Sequence, residues 1–243
     1  MGRAIAENPT RVALRSGGHP VILLSVGSTT PWRQPTAGDE APTVFVVDDD
    51  PGVRDSLTWL LESVGLRVET YASAREFLDH YDPRRAGCLV LDVRLPGMGG
   101  LDLLEALRRR GATLPVIVVT AYGEVHSAVR AMKGGAIDVM EKPTRDQVLL
   151  DRVQQALELD RQTRASLATR AEAAARYARL TKRELEVLRL IIAGKANKVI
   201  ASDLELSTKT VEAHRAAIMR KLGVHSTAEM VRIVMLAEDQ GNP

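Results

Sequence analysis

A doubly wound α/β domain followed by a small all-α domain is the fold this sequence predicts. Three observations predict it. From Pro42 to about Leu159, short apolar strand-like runs alternate with amphipathic helical periods. From Leu180 onward every remaining signal is helical. The two parts also differ in charge, with a net −4 over residues 43–158, +3 over 159–179 and +2 over 180–243. Alternating strands and helices bury a parallel sheet between two helical layers. An acidic part followed by a basic one suggests two partners of different sign.

The strands are predicted at Val44–Val47, Leu66–Thr70, Cys88–Leu91, Val116–Thr120 and Ala136–Met140. The first helix follows Pro51, with Val53, Leu57, Leu60, Leu61 and Val64 on one face and Gly65 as its stop. Ser73-Ala-Arg-Glu76 is a capping box for the second. The third runs from Leu101 to Arg110, with arginines at its negative dipole end. The fourth covers about Val125 to Lys133 and ends at Gly134-Gly135. A fifth begins near Arg145, and its period continues to Ala178. Thr181-Lys-Arg-Glu184 caps the first helix of the C-terminal part. A second helix covers about Asn197–Leu204. The turn Glu205-Leu206-Ser207 leads to a third over Thr208–Leu222, and Ser226-Thr-Ala-Glu229 caps a fourth. This part reads as a compact four-helix domain with a helix-turn-helix at its centre.

The chain has 243 residues, 45% hydrophobic and 26% charged. That is ordinary for a globular protein and long enough for two cores. The organisation expected is a disordered extension over 1–42, an α/β domain over 43–160, a helical linker over 161–179 and the helical domain over 180–238. Val21–Val26 is a stray strand-like run within the extension. One cysteine, Cys88, excludes an internal disulfide framework and a Cys-rich zinc site, and it reads as a core residue. No apolar run approaches a membrane span, and Val21–Val26 is too short for a signal-peptide core. The composition suits a reducing, cytoplasmic compartment.

The main chemical signal is the placement of carboxylates on the sheet. Asp48, Asp49 and Asp50 follow the first strand at once, and Asp92 follows the third. In the flavodoxin-like order 2-1-3-4-5 the ligand crevice lies between strands 1 and 3, outside their carboxyl ends. Three or four carboxylates are therefore expected to converge there. Their repulsion calls for a cation, and Mg²⁺ suits a few carboxylates with waters and phosphate oxygens. Thr120 ends the fourth strand and Lys142 follows the fifth, which adds a hydroxyl and an ammonium to the same edge. Together these residues form a phosphoryl-aspartate constellation: Asp92 as nucleophile, Lys142 and Thr120 stabilising the phosphoryl charge. Acids also follow strands as turn formers and helix N-caps, which suits Asp50.

The segments VFVVDDDP, LVLDVRLPGMGGLDLL, VIVVTAYG and AIDVMEKP resemble a bacterial response-regulator receiver domain over residues 43–160. The resemblance implies phosphorylation at Asp92. It implies a metal site from Asp48, Asp49, Asp92 and the backbone carbonyl of Arg94. It also implies a switch hydroxyl at Thr120, a phosphate-binding Lys142 and a cis Lys142–Pro143 bond. Two positions depart from the family. Val139 stands at its aromatic switch position, and Thr144 at the usual Phe after Lys-Pro. Tyr122 is the nearest aromatic that could compensate.

The helix expected over Thr208–Leu222 carries Lys209, His214, Arg215, Arg220 and Lys221 against one acid, Glu212. A basic helix after a tight turn suits the major groove, and Ser207 and Thr210 at its N-terminus favour phosphate. A solvated basic face has the same composition. The run LTKRELEVLRLIIAGKANKVIASDLELSTKTVEAHRAAIMRKLGV resembles a LuxR-type helix-turn-helix, and residues 43–236 together resemble NarL/FixJ-type transcriptional regulators. That resemblance places Glu212, Ala213 and Ala216 towards bases. Thr208, Lys209, Thr210, Arg215 and Lys221 take phosphate-contacting or positioning roles, and the fourth helix is a dimer interface.

The function implied is that of a two-component response regulator rather than an enzyme. A sensor histidine kinase would phosphorylate Asp92 with Mg²⁺ present. The phosphorylated chain would form a homodimer, bind promoter DNA and act on RNA polymerase, with no membrane partner. Two other readings stand beside it. Asp48-x-Asp50 fits an Mg-dependent phosphohydrolase with Asp48 as nucleophile, but residues 51–87 are too short for its substrate cap. A constitutive DNA-binding protein with a degenerate receiver would suit Val139 and Thr144, but not the intact set Asp48, Asp92, Thr120 and Lys142.

Overall fold

A computed structural model describes residues 41–120 and 125–238. Most of the N-terminal extension, the run Val21–Val26 and Tyr122 lie outside the described residues. Five strands, β1 (Thr43–Val47), β2 (Arg67–Tyr71), β3 (Gly87–Asp92), β4 (Val116–Thr120) and β5 (Asp138–Glu141), form one parallel sheet in the order β2-β1-β3-β4-β5. They alternate with α1 (Pro51–Ser63), α2 (Ala74–His80), α3 (Gly100–Arg109), α4 (Val125–Lys133) and α5 (Asp146–Tyr177). The predicted strand order is the observed one.

Successive strand residues point to opposite faces, and two cores follow from that alternation. Phe45, Val47, Leu89, Leu91, Val116 and Val118 face α2, α3 and α4, where they meet Phe77, Leu103, Leu104, Leu107 and Ala131. Val44, Val46, Cys88, Val90, Ile117, Val119 and Met140 face α1 and α5, where they meet Leu61, Leu149, Val153 and Ala156. Both faces of β1, β3 and β4 are covered, which is why these strands read as unbroken apolar runs.

The helix starts follow local chemistry. Asp50 caps α1 by accepting from the Gly52 N–H at 2.8 Å. Ser73 caps α2 by accepting from the Glu76 N–H, but the Glu76 carboxylate accepts from Ala72 rather than from Ser73. Only half of that predicted capping box forms. The helical period expected through Ala178 is one unbroken helix of 32 residues, α5. Its first half packs on the sheet through Leu149, Val153 and Ala156. Its far end gives Ala173 to a separate core.

That core is closed by α6 (Lys182–Ile192), α7 (Asn197–Asp203), α8 (Thr208–Leu222) and α9 (Thr227–Glu238). Val187, Leu188, Ile191, Ile200, Val211, Ile218, Leu222 and Met230 fill it. Here the predicted box is complete: the Thr181 side chain accepts from Glu184 N–H and the Glu184 carboxylate accepts from Thr181 N–H at 2.7 Å. Among the described residues no helix is long and apolar enough to cross a membrane.

Candidate functional site

Parallel register brings the acidic residues to one edge. Val47 pairs with Leu91, so Asp48 and Asp92 stand side by side just beyond β1 and at the end of β3. Asp92 pairs with Val119 and Thr120 with Glu141, so Thr120 and Lys142 follow on the same edge. The Lys142 N–H donates to the Thr120 carbonyl at 2.8 Å. The Lys142–Pro143 peptide is cis.

The Lys142 ammonium lies 2.7 Å from Asp48 Oδ2 and 2.7 Å from Asp92 Oδ1. The other carboxylate oxygens are held by backbone. Asp48 Oδ1 accepts from Asp50 N–H at 3.0 Å, and Asp92 Oδ2 accepts from Arg94 N–H at 2.7 Å. Both carboxylates are buried, as is Thr120. They sit at a cleft of about 530 Å³ lined also by Val53, Ser56, Leu57, Pro143 and Thr144. Burial raises the Asp92 carboxyl above its ordinary range, against the opposing pull of Lys142, and the neighbouring Asp48 charge adds to the rise. Burial alone would lower Lys142, but its bonds to Asp48 and Asp92 win, and it is raised.

Gly100 lets α3 close on this edge. A Cβ there would lie 1.9 Å from the Asp92 carbonyl oxygen, so no other residue fits without moving the strand end. Arg54 reaches back from α1 to donate to the carbonyls of Asp48 and Asp49, at 2.7 and 3.0 Å, and fixes their turn.

Asp48 and Asp92 are the two carboxylates that Lys142 bridges, and Asp50 lines the same cleft. Asp49 is exposed, and the Asp50 carboxylate is turned to the N-terminus of α1. Among the described residues no three acidic, His or Cys side chains converge into a metal cage. The pair still fits Mg²⁺. That ion takes one or two carboxylates and completes its octahedron with water and phosphate oxygens, and two carboxylates against one ammonium leave one negative charge here. Val139, at the position where the resemblance led one to expect an aromatic, is partly buried against the α3–α4 core.

In the C-terminal domain, α8 follows the turn at Glu205, whose φ is 55°. Ser207 caps it by accepting from Thr210 N–H at 3.0 Å. Val211, Ile218 and Leu222 face the core. The opposite stripe is exposed: Lys209, Glu212, Ala213, Ala216 and Arg220, with Thr208 and Thr210 at the N-terminal end. Arg215 is half-buried, with a guanidinium nitrogen 3.5 Å from the Thr227 hydroxyl.

Lys221 is expected either to contact phosphate or to position the helix. Lys221 is not on the exposed stripe. Its ammonium donates to Glu184 Oε2 at 2.6 Å, and Glu184 is buried. The pair joins the last turn of α8 to the capped start of α6. Arg220 stands on the stripe in its place. The spacing 209, 213, 216, 220 puts Arg220 on one helical face, while Lys221 lies three residues after buried Ile218.

Comparison with known proteins agrees with this architecture. Residues 44–154 match the response regulator receiver domain, and residues 178–234 match the bacterial regulatory proteins of the luxR family. The chain is 46% identical over 202 residues to the transcriptional regulatory protein TdiR of Thauera aromatica, covering 83% of this chain and 89% of that one. It is 46% identical over 198 residues to the transcriptional regulatory protein FixJ of Azorhizobium caulinodans, covering 82% and 94%. Among solved structures it is similar to the response regulator StyR, with a TM-score of 0.76, 45% identity and coverage of 81% and 99%.

Proposed function

Because this chain belongs to the response regulators that join a receiver to a LuxR-family DNA-binding domain, a family of transcriptional regulators rather than enzymes, we propose that phosphorylation of Asp92 by a sensor histidine kinase controls its binding to promoter DNA. The observation that carries this reading is Lys142, which bridges Asp48 and Asp92 in the cleft. On this reading residues 43–160 receive the phosphoryl group, 161–179 connect, and 180–238 read DNA.

An Asp92 carboxylate oxygen attacks phosphorus, the bond from phosphorus to the donor nitrogen breaks, and the donor imidazole leaves. Lys142 stays beside the new phosphoryl oxygens as a fixed positive charge. Thr120, buried at the next strand end, supplies a hydroxyl to the same group. Asp48, Asp49, Asp92 and the Arg94 carbonyl are the groups that would hold Mg²⁺. When bound, the ion supplies the charge that lets an anionic donor approach two carboxylates.

On α8, Glu212, Ala213 and Ala216 are the base-facing positions. Thr208, Lys209, Thr210 and Arg220 lie towards phosphates, with Arg215 at the edge. Exposed Val129 and Met132 on α4, and Met235 on α9, support assembly into a homodimer in the phosphorylated, DNA-bound state. RNA polymerase is the partner that such a promoter-bound dimer would act on, in the cytoplasm.

Incubation with acetyl phosphate and Mg²⁺ tests the chemistry. The chain should gain one acid-stable, base-labile phosphoryl group, lost in Asp92→Asn and lost on chelation with EDTA. Labelling that survives Asp92→Asn and disappears in Asp48→Asn would reassign the nucleophile to Asp48 and favour the hydrolase reading.

A further inference from the structure

A charged cluster lies at the opposite edge of the sheet, where nothing in the phosphorylation chemistry uses it. Asp160 of α5 is 1% exposed. Its Oδ2 accepts from the Gly87 N–H at 2.9 Å and from Arg164 Nε at 2.8 Å. Arg164, one helical turn on, spends its remaining nitrogens on the loop before β3. It donates to the carbonyls of Pro83 at 3.2 Å, of Arg84 at 2.9 Å and of Arg85. Arg85 in turn donates to Glu69 of β2 at 2.8 Å and lies over the Phe45 ring at 4.9 Å. One arginine thus gathers three successive carbonyls, and the loop it gathers is pinned to β2 and β1 from the other side.

Gly87 lets the start of β3 lie close against β1. A Cβ there would lie 1.9 Å from the Thr43 carbonyl oxygen. The strand that begins at Gly87 ends at Asp92. At about 3.3 Å per residue, β3 sets the cluster and the phosphorylation edge roughly 17 Å apart on one rigid element.

The cluster also marks where the receiver lets go of α5. Leu149, Val153, Ala156 and Asp160 are the buried residues of its first half. From Arg161 to Glu172 every residue is exposed or half-exposed, and the next buried one, Ala173, belongs to the DNA-binding core. Asp160 and Arg164 bond the helix to the receiver at the point where its buried face ends. A buried carboxylate is a poor choice for mere stability, since an apolar residue would pack there without the desolvation cost. Among the described residues the second oxygen, Asp160 Oδ1, has no hydrogen-bond partner, which raises that cost. A directional contact retained at a cost fits a positioning role.

We propose that Asp160 and Arg164 are positioning residues that latch the linker helix to the start of β3, so that a change at Asp92 reaches the DNA-binding domain through a helix held in one direction. The proposal rests on the reading of Asp92 as phosphoacceptor, but the latch itself is measurable without phosphorylation. Removing Arg164 strands a buried carboxylate, so the last receiver turn of α5 loosens.

The test uses the full chain with Arg164→Ala, with Asp160→Ala as the second variant. Hydrogen exchange of the Gly87 amide and of the α5 turn around 160–164 should speed up by about tenfold or more. Asp92 labelling by acetyl phosphate should stay within about twofold of the original chain, while the gain in DNA affinity on phosphorylation falls by about fivefold or more. Arg164→Lys keeps the charge but not the three-carbonyl fork, and should recover only part of that gain. Unchanged exchange at Gly87, or an undiminished gain despite fast exchange, overturns the latch. An original chain that shows no labelling at all overturns the Asp92 reading instead, and the exchange data still decide whether the latch holds the helix.

Discussion

Lys142 and Asp92 lie 2.7 Å apart although a whole strand separates them: Asp92 ends β3, Lys142 follows β5, and β4 runs between. The same ammonium reaches Asp48 beyond β1. One side chain therefore ties together the ends of three strands and holds two buried carboxylates in a single cleft. The charge balance at this edge decides both stability and chemistry.

Removing the ammonium should destabilise this edge. Lys142→Ala leaves Asp48 and Asp92 facing each other unneutralised, and a loss of roughly 2–3 kcal/mol is expected in denaturant unfolding. Adding Asp92→Asn to that variant should return part of the loss, because the repulsion goes with it.

Asp92→Asn alone should stabilise the chain at neutral pH. A carboxyl raised in the folded state contributes stability below its ordinary pKa of 3.8, and that contribution is lost as pH rises through the folded value. At neutral pH the ionised Asp92 is thus a net burden. The variant's Tm should exceed that of the original chain there, and the difference should shrink as the solution is acidified towards the carboxyl range.

Glu184 behaves in the opposite sense. Burial would raise it, but Lys221 and the Thr181 cap outweigh burial, and its pKa falls below the ordinary 4.5. Its contribution is present above that pH and disappears as pH falls through the lowered folded value. Glu184→Gln should flatten this acid limb in a thermal scan of the DNA-binding domain. Thr181→Ala should cost about 1 kcal/mol by removing the cap.

The inward turn of Lys221 makes a prediction that salt dependence can separate. Arg220→Ala and Lys209→Ala should each reduce the slope of log affinity against log salt by about 0.9, as expected for a lost phosphate contact. Lys221→Ala should weaken DNA binding through a misplaced α8 while leaving that slope unchanged. A slope that drops equally in all three variants would put Lys221 back on the phosphates.

The sheet order and the residues of the strand edge were legible because parallel strands buried on both faces are written as apolar runs, and register then aligns their ends. Asp48, Asp92, Thr120 and Lys142 needed no more than that. Among the three consecutive acids, Asp50 takes the N-cap role that its place before Pro51 suits, while the backbone direction that buries Asp48 and exposes Asp49 is not written in three identical residues. Composition marks a basic helix without saying which face is inward, and the helical spacing from buried Ile218 is what separates Lys221 from exposed Arg220. The contact of Asp160 with Gly87 joins residues 73 positions apart, and nothing local in either segment announces it.

DNA binding with and without phosphorylation, compared between the original chain and Asp92→Asn, tests the central claim most directly. With acetyl phosphate and Mg²⁺, the original chain should bind its promoter more tightly and protect dyad-related half-sites about one helical turn apart, while Asp92→Asn should bind with the same affinity whether or not the donor is present. Equal stimulation of both proteins, or none of a fully phosphorylated original chain, would contradict control of DNA binding through Asp92.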